Sequence, residues 1–368
     1  MAKYLEIAES LRERIRHGDY RLRGFPSHSE LVSELGVNSR TVTKALRELV
    51  EDGHLVRGAS GRFALPESDA SRLHIGMVAP AYPTSTTFVW HRGADTMARE
   101  RGWTLKFIAY THWDDPCIDE ALRGLDGVFF AAIADEFPRH VLRRIQAGPC
   151  PVVVLEEDTS AYDIPCVRLS NPASIHRLLD HLGARGHRQV DCLNVEPMNP
   201  ITRGRIESWR LWLAAHDAEG ELINDPVEVF GSAIPHAYRA TVEAVRSGRL
   251  ASKALFCATY SAAAGAMRAL RDSGLDVGEE IDVCAGDDAL SAARYLTPSL
   301  TCLRPPRVSP YIRACLNWFA GGGGDWPGTL VMQPAEMPLF VGESTGGAGE
   351  GVYERHEMAD ARSVVERV

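Results

Sequence analysis

At 368 residues and 45% hydrophobic composition, the chain is long enough for a small module beside a large body with cores of its own. It opens on no secretory segment and contains no apolar run long enough to cross a bilayer, so a soluble, cytoplasmic protein is expected. The net charge of −9 is unevenly divided: eleven Lys and Arg face nine Asp and Glu up to Pro66, which leaves −11 for the remainder.

In chain order, Tyr4, Ile7, Ala8, Leu11 and Ile15 form one apolar stripe at helical spacing and predict a first helix. Ser27 followed by Glu30 is a capping-box pattern and Gly36 a helix stop, which bracket a second helix. The stretch Val37 to Leu49 predicts a third. Val42, Ala45, Leu46 and Leu49 share its apolar face, while Ser39, Arg40, Thr43, Lys44 and Arg47 lie opposite. Arg pairs bidentately with guanine, and Ser, Thr and Lys bond base edges or phosphates, so the polar face suits DNA recognition. Glu51-Asp52-Gly53 ends this helix. His54 to Leu65 then predicts a short hairpin turning near Gly58 to Gly61, with Arg57 and Arg62 within reach of phosphates.

In this order of elements, residues 3 to 65 resemble the GntR family of winged helix-turn-helix regulators. The resemblance rests on Tyr4-Leu-Glu-Ile-Ala, His17-Gly-Asp-Tyr20, Phe25-Pro-Ser27, Glu30-Leu31, Val37 to Leu49, Asp52-Gly53 and Gly61. It implies a contact stretch from Asn38 to Arg47, with Ser27, Ser39, Arg40, Thr41, Thr43 and the wing at Gly61 and Arg62 touching DNA. The family often carries Arg where Ser29 and Ser39 stand here, and Arg40, Lys44 and Arg47 are expected to substitute. A +2 module on a −11 body fits that division of labour, because the acidic body should itself repel DNA.

Residues 67–72 read as a polar linker, beyond which the periodicity changes. Apolar runs at 73–79, 104–109, 127–131 and 151–155 alternate with helical segments such as 89–101 and 138–146. A second series follows: helices near 172–184, 202–216, 235–247 and 261–273, and strands at 189–193, 227–230, 254–257 and 281–285. This alternation predicts two α/β lobes with parallel sheets, whose ligands bind at the strands' carboxyl ends.

Residues 73 to 345 resemble the effector domain of LacI-type regulators, which is similar to periplasmic sugar-binding proteins. The segments that carry it are Ile75 to Pro80, Leu125-Asp-Gly-Val128, His181 to Arg188, Arg205 to Trp209, Gly274-Leu275, Ile281-Asp-Val283, Gly286-Asp-Asp288, Tyr295 to Thr301 and Glu343-Ser-Thr345. The resemblance implies three crossings between lobes, with an N-lobe at about 73–168 and 296–324 and a C-lobe at about 169–295 and 325–343. It places effector contacts at Tyr82 to Phe88, Asn171, Arg205, Phe230, Tyr260 and Asp287. A guanidinium and a carboxylate divide sugar hydroxyls between donor and acceptor, which is the expected use of Arg205 and Asp287; the alternative is a salt bridge between lobes without ligand. Thr259-Tyr260 stands where the family commonly has Asn-Asp, Ser170 where it has Asp, and Pro305 where it has Gln. A re-specialised pocket is expected, and the family's hinge helix is absent.

The other constellations are read as structural. Eight cysteines, at 117, 150, 166, 192, 257, 284, 302 and 315, form no Cys-x-x-Cys pair and sit mostly in apolar stretches, which predicts free buried thiols. His176, His181 and His187 do not share a helical face, so no zinc site is expected. Asp287-Asp288 lacks a neighbouring nucleophile, and Gly321 to Gly324 lacks the lysine of a phosphate loop. A pyridoxal-phosphate body behind the winged helix needs a Schiff-base lysine, and only Lys106 and Lys253 follow residue 44, both in strand-like runs. Residues 346–368 read as a tail with a weak helix near 357–368. Together these features predict a homodimeric one-component regulator, expected to be a repressor, with double-stranded operator DNA and a small sugar as partners and no enzyme activity, cofactor, metal or membrane. The rival is a DNA binder with a degenerate, ligandless body.

Overall fold

The computed structural model describes residues 3–347 except 17–18, 21–23, 59–61, 67–71, 83, 133–136 and 229–230. The expected linker falls almost wholly outside these residues, as do the tail beyond 347, Gly61 and Phe230.

The first module consists of α1 (Lys3–Arg16), α2 (His28–Leu35), α3 (Ser39–Glu51) and a two-stranded antiparallel hairpin, β1 (Val56–Arg57) with β2 (Phe63–Ala64). Local chemistry fixes the α2 to α3 turn. Ser27 accepts from the Glu30 amide while Glu30 reaches back to the Ser27 amide, and Gly36 takes the left-handed conformation, φ 60°, that a side chain rarely adopts. Asn38 caps α3 by accepting from the Thr41 amide at 2.9 Å. The apolar stripes of the three helices then meet in one core, with Ala8, Leu11, Leu31, Val42, Leu46, Leu49 and Leu55 buried. Each fully buried large aliphatic side chain of this core contributes about 1.5–3 kcal/mol.

The body holds two six-stranded sheets. The first has the order β13-β7-β6-β5-β3-β4, all parallel, from β3 (His74–Pro80), β4 (Thr104–Tyr110), β5 (Gly127–Ala131), β6 (Val152–Leu155), β7 (Cys166–Val167) and β13 (Val331–Met332). Helices α4 (Ser85–Glu100), α5 (Pro116–Gly124), α6 (Arg139–Ala147) and α11 (Ser309–Ala320) cover it, and two apolar clusters fill its two faces. The second sheet runs β14-β12-β11-β10-β8-β9, from β8 (Asp191–Asn194), β9 (Leu222–Asn224), β10 (Ala254–Cys257), β11 (Asp282–Ala285), β12 (Thr301–Leu303) and β14 (Leu339–Phe340), of which only β14 is antiparallel. It packs against α7 (Pro172–Ala184), α8 (Pro200–Ala215), α9 (Ala233–Arg246) and α10 (Tyr260–Asp272). Burial on both faces is why strands such as Val152 to Leu155 are apolar without alternation.

The chain crosses between the lobes at 168–171, 304–308 and 333–338, which differs from the expected division at two places. Residues 301–303 pair with β11 in the second sheet, although the N-lobe was expected to resume at 296. Residues 331–332 pair with β7 in the first sheet, although 325–343 was assigned to the C-lobe. Sheet pairing of two very short strands decides both. The strand expected at 227–230 is likewise β9 at Leu222–Asn224, where Ile223 is buried against the C-lobe core. Beyond it the Val227 amide bonds Val195 O at 2.8 Å as the chain leaves the sheet edge. All eight cysteines are free and all but Cys117 are buried; burial pushes the Cys150 thiol up to about 12, which keeps it unreactive.

Candidate functional site

The outer face of α3 is open. Ser39, Arg40, Thr43, Lys44 and Arg47 are exposed, and neither Arg40 nor Arg47 forms an ion pair among the described residues. The Lys44 ammonium lies 5.7 Å from the Tyr4 ring centroid, which holds it against α1. Not every residue expected to touch DNA is free to do so. Ser27 is engaged in the capping box, Asn38 caps α3, and the Thr41 hydroxyl donates to Asn38 at 2.9 Å. Thr43 bonds Ser39 O at 2.9 Å and His28 Nε2 at 3.0 Å. On the hairpin, Arg57 lies 5.8 Å from the Phe63 ring centroid and Arg62 is exposed beside Glu30, whose carboxyl the bonds from Ser27 hold below its usual range. Gly61 lies outside the described residues.

The second candidate is a cleft of about 460 Å³, mouth included, where the carboxyl ends of the two sheets meet. Thr86, Val89 and Glu156 line it from the N-lobe, Arg205, Asp287 and Asp288 from the C-lobe, and Leu169, Ser170 and Pro305 from the crossings. Arg205 is only 5% exposed. Its Nη1 donates to Asp287 Oδ2 at 2.6 Å and to Ala258 O at 2.7 Å. Asp287 Oδ1 accepts from the Tyr260 amide at 2.6 Å, so one carboxylate ties α8 to the start of α10. A Cβ at Gly286 would stand 2.7 Å from Ala258 O and 3.0 Å from Arg205 Cδ, which is why the residue before Asp287 is the smallest available. This pair lies wholly within the C-lobe, which overturns the salt bridge between lobes: α8 packs on the same sheet that contains β11, the strand just before Asp287.

The other expected effector contacts are placed differently. On α4, Thr86 and Val89 face the cleft while Phe88, on the outer side of the same turn, is half exposed. Tyr82 packs against an apolar cluster of the N-lobe, and the Tyr260 ring packs against the C-lobe core. Asn171 caps α7 and donates to Pro334 O at 3.0 Å and Ala335 O at 2.9 Å, binding the first crossing to the third; Ser170 takes its place in the lining. Phe230 lies outside the described residues.

Of two further acidic residues in the cleft, Glu156 escaped the sequence reading, and Asp288 was weighed there only as a catalytic pair with Asp287. Glu156, just past the end of β6, has φ 66°, an uncommon conformation for a side-chain-bearing residue, and accepts from Trp90 Nε1 at 2.9 Å and the Leu169 amide at 3.0 Å. Burial raises its pKa against the pull of those bonds. Asp288 is 5% exposed; its Oδ1 accepts from the Ala293 amide at 3.0 Å, its Oδ2 is buried without a hydrogen-bond partner among the described residues, and burial raises its pKa. The strand-end rule would have pointed to Glu156 had it been applied to β6. Behind Arg205, Glu196 is also raised, first by burial and then by the Asp287 charge. Among the described residues no group of three or more His, Cys, Asp and Glu is placed to hold a metal ion, and no helix is long and apolar enough to cross a membrane.

Comparison with known proteins matches residues 3–63 to the model of the gntR family of bacterial regulatory proteins and residues 179–308 to the periplasmic binding protein-like domain. Among curated relatives, the transcriptional regulator GalR of Escherichia coli is 29% identical over 159 residues, 43% of this chain and 45% of the relative. MalR of Streptomyces coelicolor is 28% identical over 178 residues, covering 44% and 47%, and the ribose operon repressor of Escherichia coli 25% over 242, covering 63% and 70%. The chain spans about half the length of the first of these relatives. Solved structures share the fold. A LacI-family regulator from Arthrobacter in complex with lactose has a TM-score of 0.61 at 20% identity, covering 74% of this chain and 99% of its own. The lac repressor dimer bound to operator and an anti-inducer scores 0.60 at 17%, covering 74% and 94%.

Proposed function

Because the chain joins a GntR-type helix-turn-helix domain to a periplasmic-binding-protein-like body, we propose that it is a sequence-specific transcription regulator, a repressor, whose operator affinity answers to a small polyhydroxylated ligand held between the lobes. Two modules in a homodimer would read a palindromic operator, since a two-fold protein imposes two-fold symmetry on its site. Such a protein works on the chromosome and therefore in the cytoplasm.

The observation that carries the ligand is the buried Arg205–Asp287 pair at the floor of the cleft. A guanidinium has five N–H donors, and the bonds seen here leave others for hydroxyl groups, while each carboxylate oxygen of Asp287 keeps a lone pair beyond its present bond. Asp288 Oδ2 adds an acceptor without a donor. The apolar lining from Val89, Leu169, Ile201 and Met337 suits the CH faces of a small sugar. Closing the lobes over it would turn the two modules of a dimer relative to each other, with a coupling of about 1–3 kcal/mol, the usual range. A relative named as the ribose operon repressor supports the same class.

One feature favours the rival of a ligandless body: Arg205 and Asp287 already satisfy each other at 2.6 Å. A thermal-shift screen of the full chain against a carbohydrate panel separates the two, because a ligand of the native state raises the melting temperature. At least one sugar should stabilise the protein and lose its effect in Asp287→Ala. A panel without any stabilising member would leave the rival standing.

A further inference from the structure

The face of α3 offers less hydrogen-bonding chemistry to DNA than its residue types suggest, and the difference lies at Thr43. This residue is exposed in the middle of the helix, and its hydroxyl donates to Ser39 O one turn back, at 2.9 Å. A threonine hydroxyl has one proton to give. With that proton on Ser39 O, the second contact of the same oxygen, His28 Nε2 at 3.0 Å, has the imidazole as donor; with the proton on His28 instead, Thr43 has equally none left for a base. His28 is the first residue of α2, held there by the capping box of Ser27 and Glu30. The donor of Thr43 is spent inside the module, and its oxygen is held by its own helix and the neighbouring one.

Guanine O6 and N7, adenine N7 and phosphate oxygens all require a donor from the protein. Thr43 has none left. What it still presents is the Cγ2 methyl group, and the matching feature of the major groove is the 5-methyl of thymine. Resting on the reading of α3 as the recognition helix, we infer that Thr43 reads one thymine in each half-site through its methyl group, and that His28 is the positioning residue that keeps the hydroxyl turned away from the bases. A remaining lone pair could accept only from adenine N6 or cytosine N4, a preference the test would expose.

The experiment uses the full-length chain. A duplex library with a randomised core is selected for binding, and in the enriched operator each thymidine is replaced in turn by deoxyuridine, which removes only the 5-methyl group. At one thymidine per half-site the parent should lose about fourfold in affinity, which corresponds to about 0.8 kcal/mol for one buried methyl. T43S should bind the thymidine and deoxyuridine operators equally, whereas T43V, which keeps the methyl and discards the hydroxyl, should discriminate like the parent. H28A should weaken discrimination at that same base and add nothing when combined with T43S, an effect on one base that general loosening of the module would not produce. The inference is overturned if T43S remains as sensitive to deoxyuridine as the parent, or if T43V loses the discrimination, which would mean that the hydroxyl reads the base. A library that yields no enriched sequence overturns the recognition-helix reading and this inference with it.

Discussion

Replacing Arg205 by Ala is the perturbation whose cost is best defined by the geometry. The side chain is 5% exposed and makes two bonds from Nη1, to Asp287 Oδ2 at 2.6 Å and to Ala258 O at 2.7 Å. Breaking a fully buried ion pair from one side typically costs about 3–5 kcal/mol, because the other charge is left behind. Asp287 is a quarter exposed and keeps its bond from the Tyr260 amide, so solvent recovers part of that loss and about 2–3 kcal/mol is expected. Asp287→Asn removes the charge but keeps an acceptor and should cost about 1 kcal/mol. In the double variant the stranded charge is gone, so the total should fall short of the summed single effects by about 1–2 kcal/mol. Urea unfolding followed by tryptophan fluorescence and circular dichroism gives all three values. Additive costs, or a loss under about 0.5 kcal/mol for Arg205→Ala, would refute the view that this pair closes the floor of the cleft.

Asp288→Asn keeps an acceptor for the Ala293 amide and removes a buried charge, so it should stabilise the protein at pH 7. Burial raises the folded carboxyl above its ordinary value, so the parent loses stability as pH rises from that value to the folded one; the variant's gain should therefore vanish below about pH 4, as melting curves from pH 3.5 to 8 would reveal. Ser27→Ala removes the capping box of α2 and should cost the N-terminal module about 1 kcal/mol, read as faster amide exchange at Glu30 and Leu31 with the body unchanged. Arg40→Ala or Arg47→Ala should weaken operator binding by about 1–3 kcal/mol where the side chain reads a base, and otherwise shallow the salt dependence by about one phosphate contact; mobility-shift titrations at several salt concentrations distinguish the two.

The helical module was legible almost to the residue because its signals are local. Ser27, Glu30 and Gly36 specify one turn by backbone chemistry alone, and the stripe of Val42, Ala45, Leu46 and Leu49 has a single helical solution. Parallel strands buried on both faces were visible as apolar runs for the same reason. The crossings were not, because β12 and β13 are three and two residues long and their sheet is chosen by distant partners, β11 and β7. In the cleft, Arg205 and Asp287 could be named, and their salt bridge weighed, because both were expected at strand ends; that the bond lies within one lobe rather than between two was not legible, since a spacing of 82 residues says nothing of it. Asn171 illustrates the opposite failure, a residue expected to bind ligand whose amide and carbonyl are occupied by the third crossing and the α7 cap. Glu156 went unnoticed since its role depends on a φ of 66° and on the indole of Trp90, 66 positions away.

The central claim is that occupancy of the cleft alters the grip on DNA. The direct measurement is the dissociation constant of the full-length chain for its selected, fluorescently labelled operator, with and without a saturating sugar drawn from the thermal-shift panel. The sugar should change that constant at least about fivefold, the lower end of ordinary allosteric coupling, and the change should disappear in Asp287→Ala. A stabilising sugar that leaves the operator constant the same in both titrations would contradict the account.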